Sequence, residues 1–159
     1  MHWMTGSFEK TNINSIIDKI KTITDNDQHK IFVGTDSFKC KGVYVYTTAI
    51  CLINKGSKNH CKYFYRKEKI VSGNNSGELA LRLFKETTDS VEIANFIKER
   101  IPSANIEVHL DVSGTNTNNK TSKWASSLSG IVSGSGFEYK LKPYAIAASA
   151  VADRHTKAF

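Results

Sequence analysis

Ile106-Glu107-Val108-His109-Leu110-Asp111-Val112 alternates apolar and polar side chains without a break. A strict period of two is the mark of a half-buried β-strand. What precedes it fixes how the strand joins a sheet. From about Glu78 to Ile101, the residues Ala80, Leu83, Phe84, Thr87, Val91, Ala94 and Ile101 fall on one helical stripe, which Pro102 ends. A strand entered through a long helix implies a crossover and a parallel neighbour.

That neighbour lies upstream. Lys30-Ile31-Phe32-Val33-Gly34-Thr35-Asp36 is short and β-branched, and reads as a strand. After the turn Lys39-Cys40-Lys41-Gly42, Val43 to Ile53 is a second strand rich in Tyr, Val and Thr. A polar stretch, Asn54 to Asn59, leads to a third strand from Cys61 to Val71. Short polar turns between strands imply an antiparallel meander. Before it, Ile13, Ile16, Ile17, Ile20 and Ile23 mark an amphipathic helix over about Asn12 to Ile23, ending in Thr24-Asp25-Asn26-Asp27. Ser72 to Gly77 reads as a loop. Downstream, Ser113 to Lys120 is a polar loop and Thr121 to Val132 a helix closed by Gly134-Ser135-Gly136. Phe137 to Lys142 is a fifth strand, and Pro143 opens an alanine-rich helix through about Lys157. The expectation is one α/β domain over residues 1–159. Its mixed five-stranded sheet is an antiparallel meander of three strands followed by βα units, with helices on both faces.

A chain of 159 residues, 40% hydrophobic and 23% charged, can bury a core of ordinary size without disulfides. No apolar run approaches the ~20 residues of a membrane helix. Met1-His2-Trp3-Met4-Thr5 lacks the charged-then-apolar plan of a secretory signal. Cys40, Cys51 and Cys61, spaced by eleven and ten, match neither a disulfide framework nor a zinc pattern. Reduced thiols and a cytoplasmic location are expected. The net charge of +7 and a pI near 9.3 favour a polyanionic partner, nucleic acid first. The cations are scattered, with a loose cluster at Lys62, Arg66, Lys67 and Lys69.

The chemistry lies in the acids. The first strand of the meander ends at Asp36 and the strand after the crossover at Asp111. Parallel and adjacent, these strands would bring two carboxylates together, which repel unless a divalent cation neutralises them. On the final helix, Asp153 shares a face with Ser149 and Lys157, opposite Ala145, Ala148, Val151 and Ala152. A solvated charge is the competing reading of Asp153. On the long helix Glu86 lies nearest the apolar stripe, beside Leu79, Leu83 and Ile97, whereas Glu78, Asp89 and Glu92 point away; a surface glutamate remains the alternative for Glu86. Four carboxylates on four elements are the oxygen donors that Mg²⁺ or Mn²⁺ prefer. Two such ions about 4 Å apart can activate water for phosphodiester hydrolysis.

The order of elements and acids resembles the ribonuclease H-like fold, and more narrowly the YkuK family, also known as a domain of unknown function. The stretches that carry the resemblance are Ile31 to Ser37, His109 to Ser113, Gly134 to Phe137, Lys142-Pro143 and, most specific, Ala147 to Lys157. The resemblance spans about residues 3 to 157. It implies an acidic metal site at Asp36, Glu86, Asp111 and Asp153, a Mg²⁺ or Mn²⁺ cofactor, and nuclease character. Tyr144 stands where relatives are expected to carry an acid after Lys-Pro, and Ser149 where some supply a further one.

Lys120, Lys142, His155 and Lys157 are candidate nucleic-acid contacts, each weighed against a solvated or dipole-pairing role. Asn116 and Asn118 lie in the same loop as Lys120. His109 shares the strand face of Asp111, where a hydrogen-bonded core histidine is the competing reading. Tyr44, Tyr46, Tyr63, Phe64 and Tyr65 suit stacking of single-stranded bases, although strand aromatics are first of all sheet packers. The Gly-Ser stretches lack the lysine and spacing of a phosphate-binding loop, so no nucleotide cofactor is expected. ATP-using relatives of this fold clamp nucleotide between two domains, for which the chain is too short. The expected function is metal-dependent hydrolysis of RNA, DNA or a hybrid; the alternative is a non-catalytic module that binds nucleic acid or protein.

Overall fold

The computed structural model describes residues 2–24, 29–54, 61–71, 78–115 and 118–156, with Thr24, Ala148 and Ser149 as backbone only. The polar turns read at 25–27, 55–59 and 72–77, together with Asn116 and Lys157, lie outside the described residues.

The strands are β1 (Trp3–Thr5), β2 (Lys10–Thr11), β3 (His29–Cys40), β4 (Val43–Asn54), β5 (Cys61–Val71), β6 (Ile106–Ser113) and β7 (Glu138–Lys142). The helices are α1 (Ile13–Thr24), α2 (Glu78–Arg100) and α3 (Ala125–Gly134), the last preceded by a 3₁₀ turn at Ser122–Trp124. A π-helical stretch, Ala147–Ala152, runs into a final turn, α4 (Asp153–Thr156). The strands form one mixed sheet in the order β2-β1-β5-β4-β3-β6-β7. β3, β4 and β5 are the expected meander, paired from Cys40 with Val43 and from Val43 with Val71. β6 joins β3 in parallel and β7 joins β6 in parallel.

The sheet has seven strands rather than the expected five, because β1 adds to the outer edge of β5 and β2 adds to β1. Strands of three and two residues are too short to show a period, so no pattern marked them. Their attachment rests on Trp3, which is buried with Phe64 in the main core and carries Arg66 over its ring at 5.4 Å.

Strand alternation divides the core. Ile31 and Val33, Ile50 and Leu52, Phe64, and Val108 and Leu110 face α1, α2 and α3, burying Ile16, Ile20, Ile97, Leu128 and Val132. The opposite face, with Cys51, His109 and Ala49, is covered by the π-helical stretch, whose Ala147 and Ala152 are fully buried. Alanine lets that backbone lie close to the sheet. Cys40, Cys51 and Cys61 are free thiols. Among the described residues no helix is long and apolar enough to cross a membrane.

Candidate active site

The parallel register of β3 and β6 runs from Ile31 opposite Ile106 to Thr35 opposite Leu110. Asp36 and Asp111 are the next residues on each strand, just past the last rung. Both point to the face covered by the final helix, since Val33 and Val108 point to the other. The chain leaves β3 toward β4 on one side and returns to β6 on the other. Carboxyl ends of strands at such a reversal form the usual ligand crevice of an open α/β sheet.

The other two acids arrive from helices on opposite faces. α2 packs along β3, where Ser90 Oγ donates to Thr35 Oγ1 at 2.9 Å. One turn earlier on the same side, buried Glu86 accepts a hydrogen bond from Ser37 Oγ at 2.5 Å. Arg82, four residues before Glu86, donates to Ser37 Oγ and to the Ser37 carbonyl, both at 2.9 Å, and stands 3.8 Å from Glu86. Asp153 comes from α4. The position of its helix is set at the other end by His109, whose Nδ1 accepts the Ala147 N–H at 2.9 Å.

These placements bring the four acids into one electrostatic group. Burial, then the charge of Asp111 and then that of Asp153 push the Asp36 carboxyl up to about 7, against the Ser37 N–H and Lys142. Glu86 is pushed up to about 8, chiefly by burial. The Ser37 hydroxyl and Arg82 oppose the rise, and Asp36 and Asp111 add to it. Lys142 Nζ lies 2.8 Å from Asp111 Oδ1 without the alignment of a hydrogen bond, and that buried oxygen has no hydrogen-bond partner. Asp36 and Glu86 are only 7% and 5% exposed, so solvent does little to screen this repulsion.

The donor chemistry suits a hard divalent cation: four carboxylates, one with an orphaned buried oxygen, with Lys142 beside Asp111 and Arg82 beside Glu86. In their present rotamers no group of three His, Cys, Asp or Glu side chains, among the described residues, is arranged to hold a metal ion.

His109 belongs to the framework of this site. It is 1% exposed, stacks on Phe32 with centroids 4.5 Å apart, and meets Glu107 Oε1 through Nε2 at 2.9 Å. Because Nδ1 accepts from Ala147, the proton sits on Nε2 and is donated to Glu107. Burial lowers the His109 pKa more than Glu107 raises it, so the ring is neutral. Lys30 closes the chain on Glu107 at 2.7 Å and on Glu138 at 3.1 Å. Burial disfavours the Glu107 charge, but Lys30 and His109 more than offset that, and its pKa falls.

Of the candidate nucleic-acid contacts, Lys120 is exposed and Lys142 is committed to Asp111 while remaining 42% exposed. His155 is 3% exposed, with its ring stacked on Tyr65 at 3.7 Å. It contacts solvent too little to hold a phosphate, and packs instead. Tyr44, Tyr46, Phe64 and Tyr65 are buried, so among the hairpin aromatics only Tyr63 is even partly open. The expectation that Asp89 points away is overturned: it is 7% exposed and held by Lys85 at 3.0 Å. Lys85 also bridges to Glu68 of β5, drawing that side of α2 onto the sheet. Sequence reasoning missed Ser37 and Arg82. The i,i+4 spacing of Arg82 and Glu86 is a signal that could have found Arg82; nothing in the sequence pattern points to Ser37.

A concavity of about 620 Å³ lies elsewhere, between Lys19 and Thr22 of α1 and Cys61 and Lys62 of β5. A shallower one of about 430 Å³ opens beside Lys142, lined by Gly114, Ser126, Tyr139 and Leu141.

A family model described as ribonuclease H-like matches residues 12–157. Comparison with curated proteins and with solved structures gives no match. The matched span takes in α1, all of β3 to β7 and the final helix, and therefore each of the four acids. The chain belongs to the ribonuclease H-like family.

Proposed function

We propose that this protein is a divalent-metal-dependent nuclease that hydrolyses phosphodiester bonds of RNA, DNA or a hybrid, and that it is a YkuK-type member of its family. The observation that carries this is the buried Asp36, held against Asp111 and Asp153, with Lys142 and the Ser37 N–H opposing the repulsion without cancelling it. A fold that maintains this arrangement gives up stability, and cation binding is the function that explains it.

In this reading Asp36, Glu86, Asp111 and Asp153 hold Mg²⁺ or Mn²⁺. When bound, such a cation supplies a water of lowered pKa and neutralises charge at the leaving oxygen. The protein's own groups do the rest. Asp36, titrating near 7, gives up its proton around neutral pH and becomes a full anion. Ser37 and Arg82 fix the Glu86 carboxyl and favour its charged form. Lys142 balances Asp111 and, being 42% exposed, can also meet a substrate phosphate. Exposed Lys120 adds positive charge for the strand. The His109 link to Ala147 fixes the helix that presents Asp153.

The alternative, a module that binds nucleic acid or protein without cutting it, is favoured by one observation. The present rotamers form no three-donor metal site, and a lysine sits on Asp111. A cleavage panel separates the two readings. Single- and double-stranded DNA and RNA, a hybrid and a branched junction are each incubated with Mn²⁺, Mg²⁺ or EDTA, using wild type and Asp36→Asn. Cleavage that needs metal and disappears in the variant supports the nuclease. Tight binding by both proteins with no cleavage supports the module.

A further inference from the structure

The β1–β2 hairpin holds Phe8 in an unusual state. Its ring is 68% exposed, and its backbone lies in the left-handed region at φ 65°, which a bulky L-residue rarely adopts. A large apolar side chain held in a strained conformation and turned to solvent contributes little to the fold, and such outliers concentrate where a ligand is held.

The turn beneath it is built. Gly6 N–H donates to the Tyr63 carbonyl at 3.1 Å and Phe8 N–H to the Thr5 carbonyl at 3.0 Å. Thr5 Oγ1 bonds Ser7 Oγ at 3.0 Å and accepts the Glu9 N–H at 3.1 Å. Gly6 lies so close to β5 that an added Cβ would stand 2.9 Å from the Tyr63 ring. The edge of Phe8 rests on His155, with centroids 5.9 Å apart, and His155 is itself stacked on Tyr65 and bonded to Tyr63 Oη at 3.2 Å. The outer face of Phe8 is left open above this stack.

Exposed Glu9 follows Phe8 in the chain, and two cations lie near the His155 ring on which Phe8 rests. Lys67 and Arg154 are the charged groups that act on His155, and exposed Arg154 immediately follows Asp153. An open aromatic face, two cations and a pre-organised support are what unpaired nucleotides require: a base stacks on the ring and its phosphates pair with the cations.

We propose that Phe8, resting against the His155 ring near which Lys67 and Arg154 lie, is a stacking platform for an unpaired base of a nucleic-acid strand that passes the carboxylates. The proposal deepens the nuclease reading by naming a single-stranded or frayed substrate, but it does not need cleavage to be tested. Phe8 is pre-positioned, so little ordering is required on binding. Buried Tyr44, Tyr46 and Tyr65 cannot serve in its place.

The test is fluorescence anisotropy in EDTA with labelled single-stranded RNA, single-stranded DNA and the matching duplexes. We expect Phe8→Ala to weaken single-strand binding about tenfold. Duplex affinity should change far less, and Phe8→Trp should restore binding. Arg154→Ala should weaken single strands and reduce the salt dependence of binding. Circular dichroism and melting of each variant establish folding. Unchanged single-strand affinity in a folded Phe8→Ala protein overturns the proposal, as does an equal loss for duplex. Because metal is absent, neither outcome depends on whether the protein cuts.

Discussion

Removing the charge of Asp36 should stabilise the metal-free protein, and only above acid pH. The carboxyl titrates near 7 in the fold against an ordinary 3.8. Between these values the native state holds a proton that the unfolded chain has released. Stability of the wild type therefore falls as pH rises from about 4 to about 7, then levels off. At about 1.36 kcal/mol per pH unit, the deficit above pH 7 is on the order of 4 kcal/mol. Asp36→Asn removes it, and the amide oxygen can still accept the Ser37 N–H. For a chain of this size, each kcal/mol moves Tm by roughly 2–4 °C. Melting curves in EDTA at pH 5, 6, 7 and 8 are the assay. We expect the variant to gain on the wild type by roughly 3–5 °C per pH unit up to neutrality, reaching on the order of 9–17 °C at pH 8. A variant less stable at every pH, or a difference independent of pH, would refute the electrostatic reasoning.

Glu86, pushed up to about 8, follows the same sign: Glu86→Gln should gain on the wild type in melting temperature as pH rises from 5 to 8.5, while abolishing metal-dependent cleavage. Mn²⁺ should raise the wild-type Tm at pH 8, and the rise should shrink below pH 6, where protons compete for Asp36; differential scanning fluorimetry reads both. His109→Ala should cost about 3 kcal/mol in urea unfolding, because it opens a cavity and leaves the Ala147 N–H and Glu107 Oε1 without the partner each has in the ring. The same variant should bind Mn²⁺ more weakly, since its final helix is no longer fixed.

Much of this fold is readable because periodicity is written by burial. The alternation of Ile106 to Val112 survives intact in β6: its even positions face the main core and its odd positions carry Glu107, His109 and Asp111. The two acids of β3 and β6 could be paired from sequence since parallel register places successive residues side by side. Glu86 could be chosen because an acid next to an apolar stripe is drawn inward. The same wheel failed for Asp89, where Lys85 and Glu68 supply a buried partner that no helical pattern shows. β1 and β2 carry too few residues for any period, and Trp3 needs β5 beside it before its burial makes sense. The final helix was legible as alanine-rich, but its π-helical winding depends on contacts with β3 and β4 that are remote in sequence. His109 and Ala147 are likewise joined only by the fold.

Titrating Mn²⁺ into the wild type and into Asp36→Asn, Glu86→Gln, Asp111→Asn and Asp153→Asn at pH 8, followed by calorimetry, tests most directly whether the four carboxylates converge on a cation. We expect saturable binding by the wild type and a loss of about tenfold or more in each variant. Binding undiminished in all four, or none by the wild type at millimolar Mn²⁺, would contradict the metal site on which the nuclease reading stands.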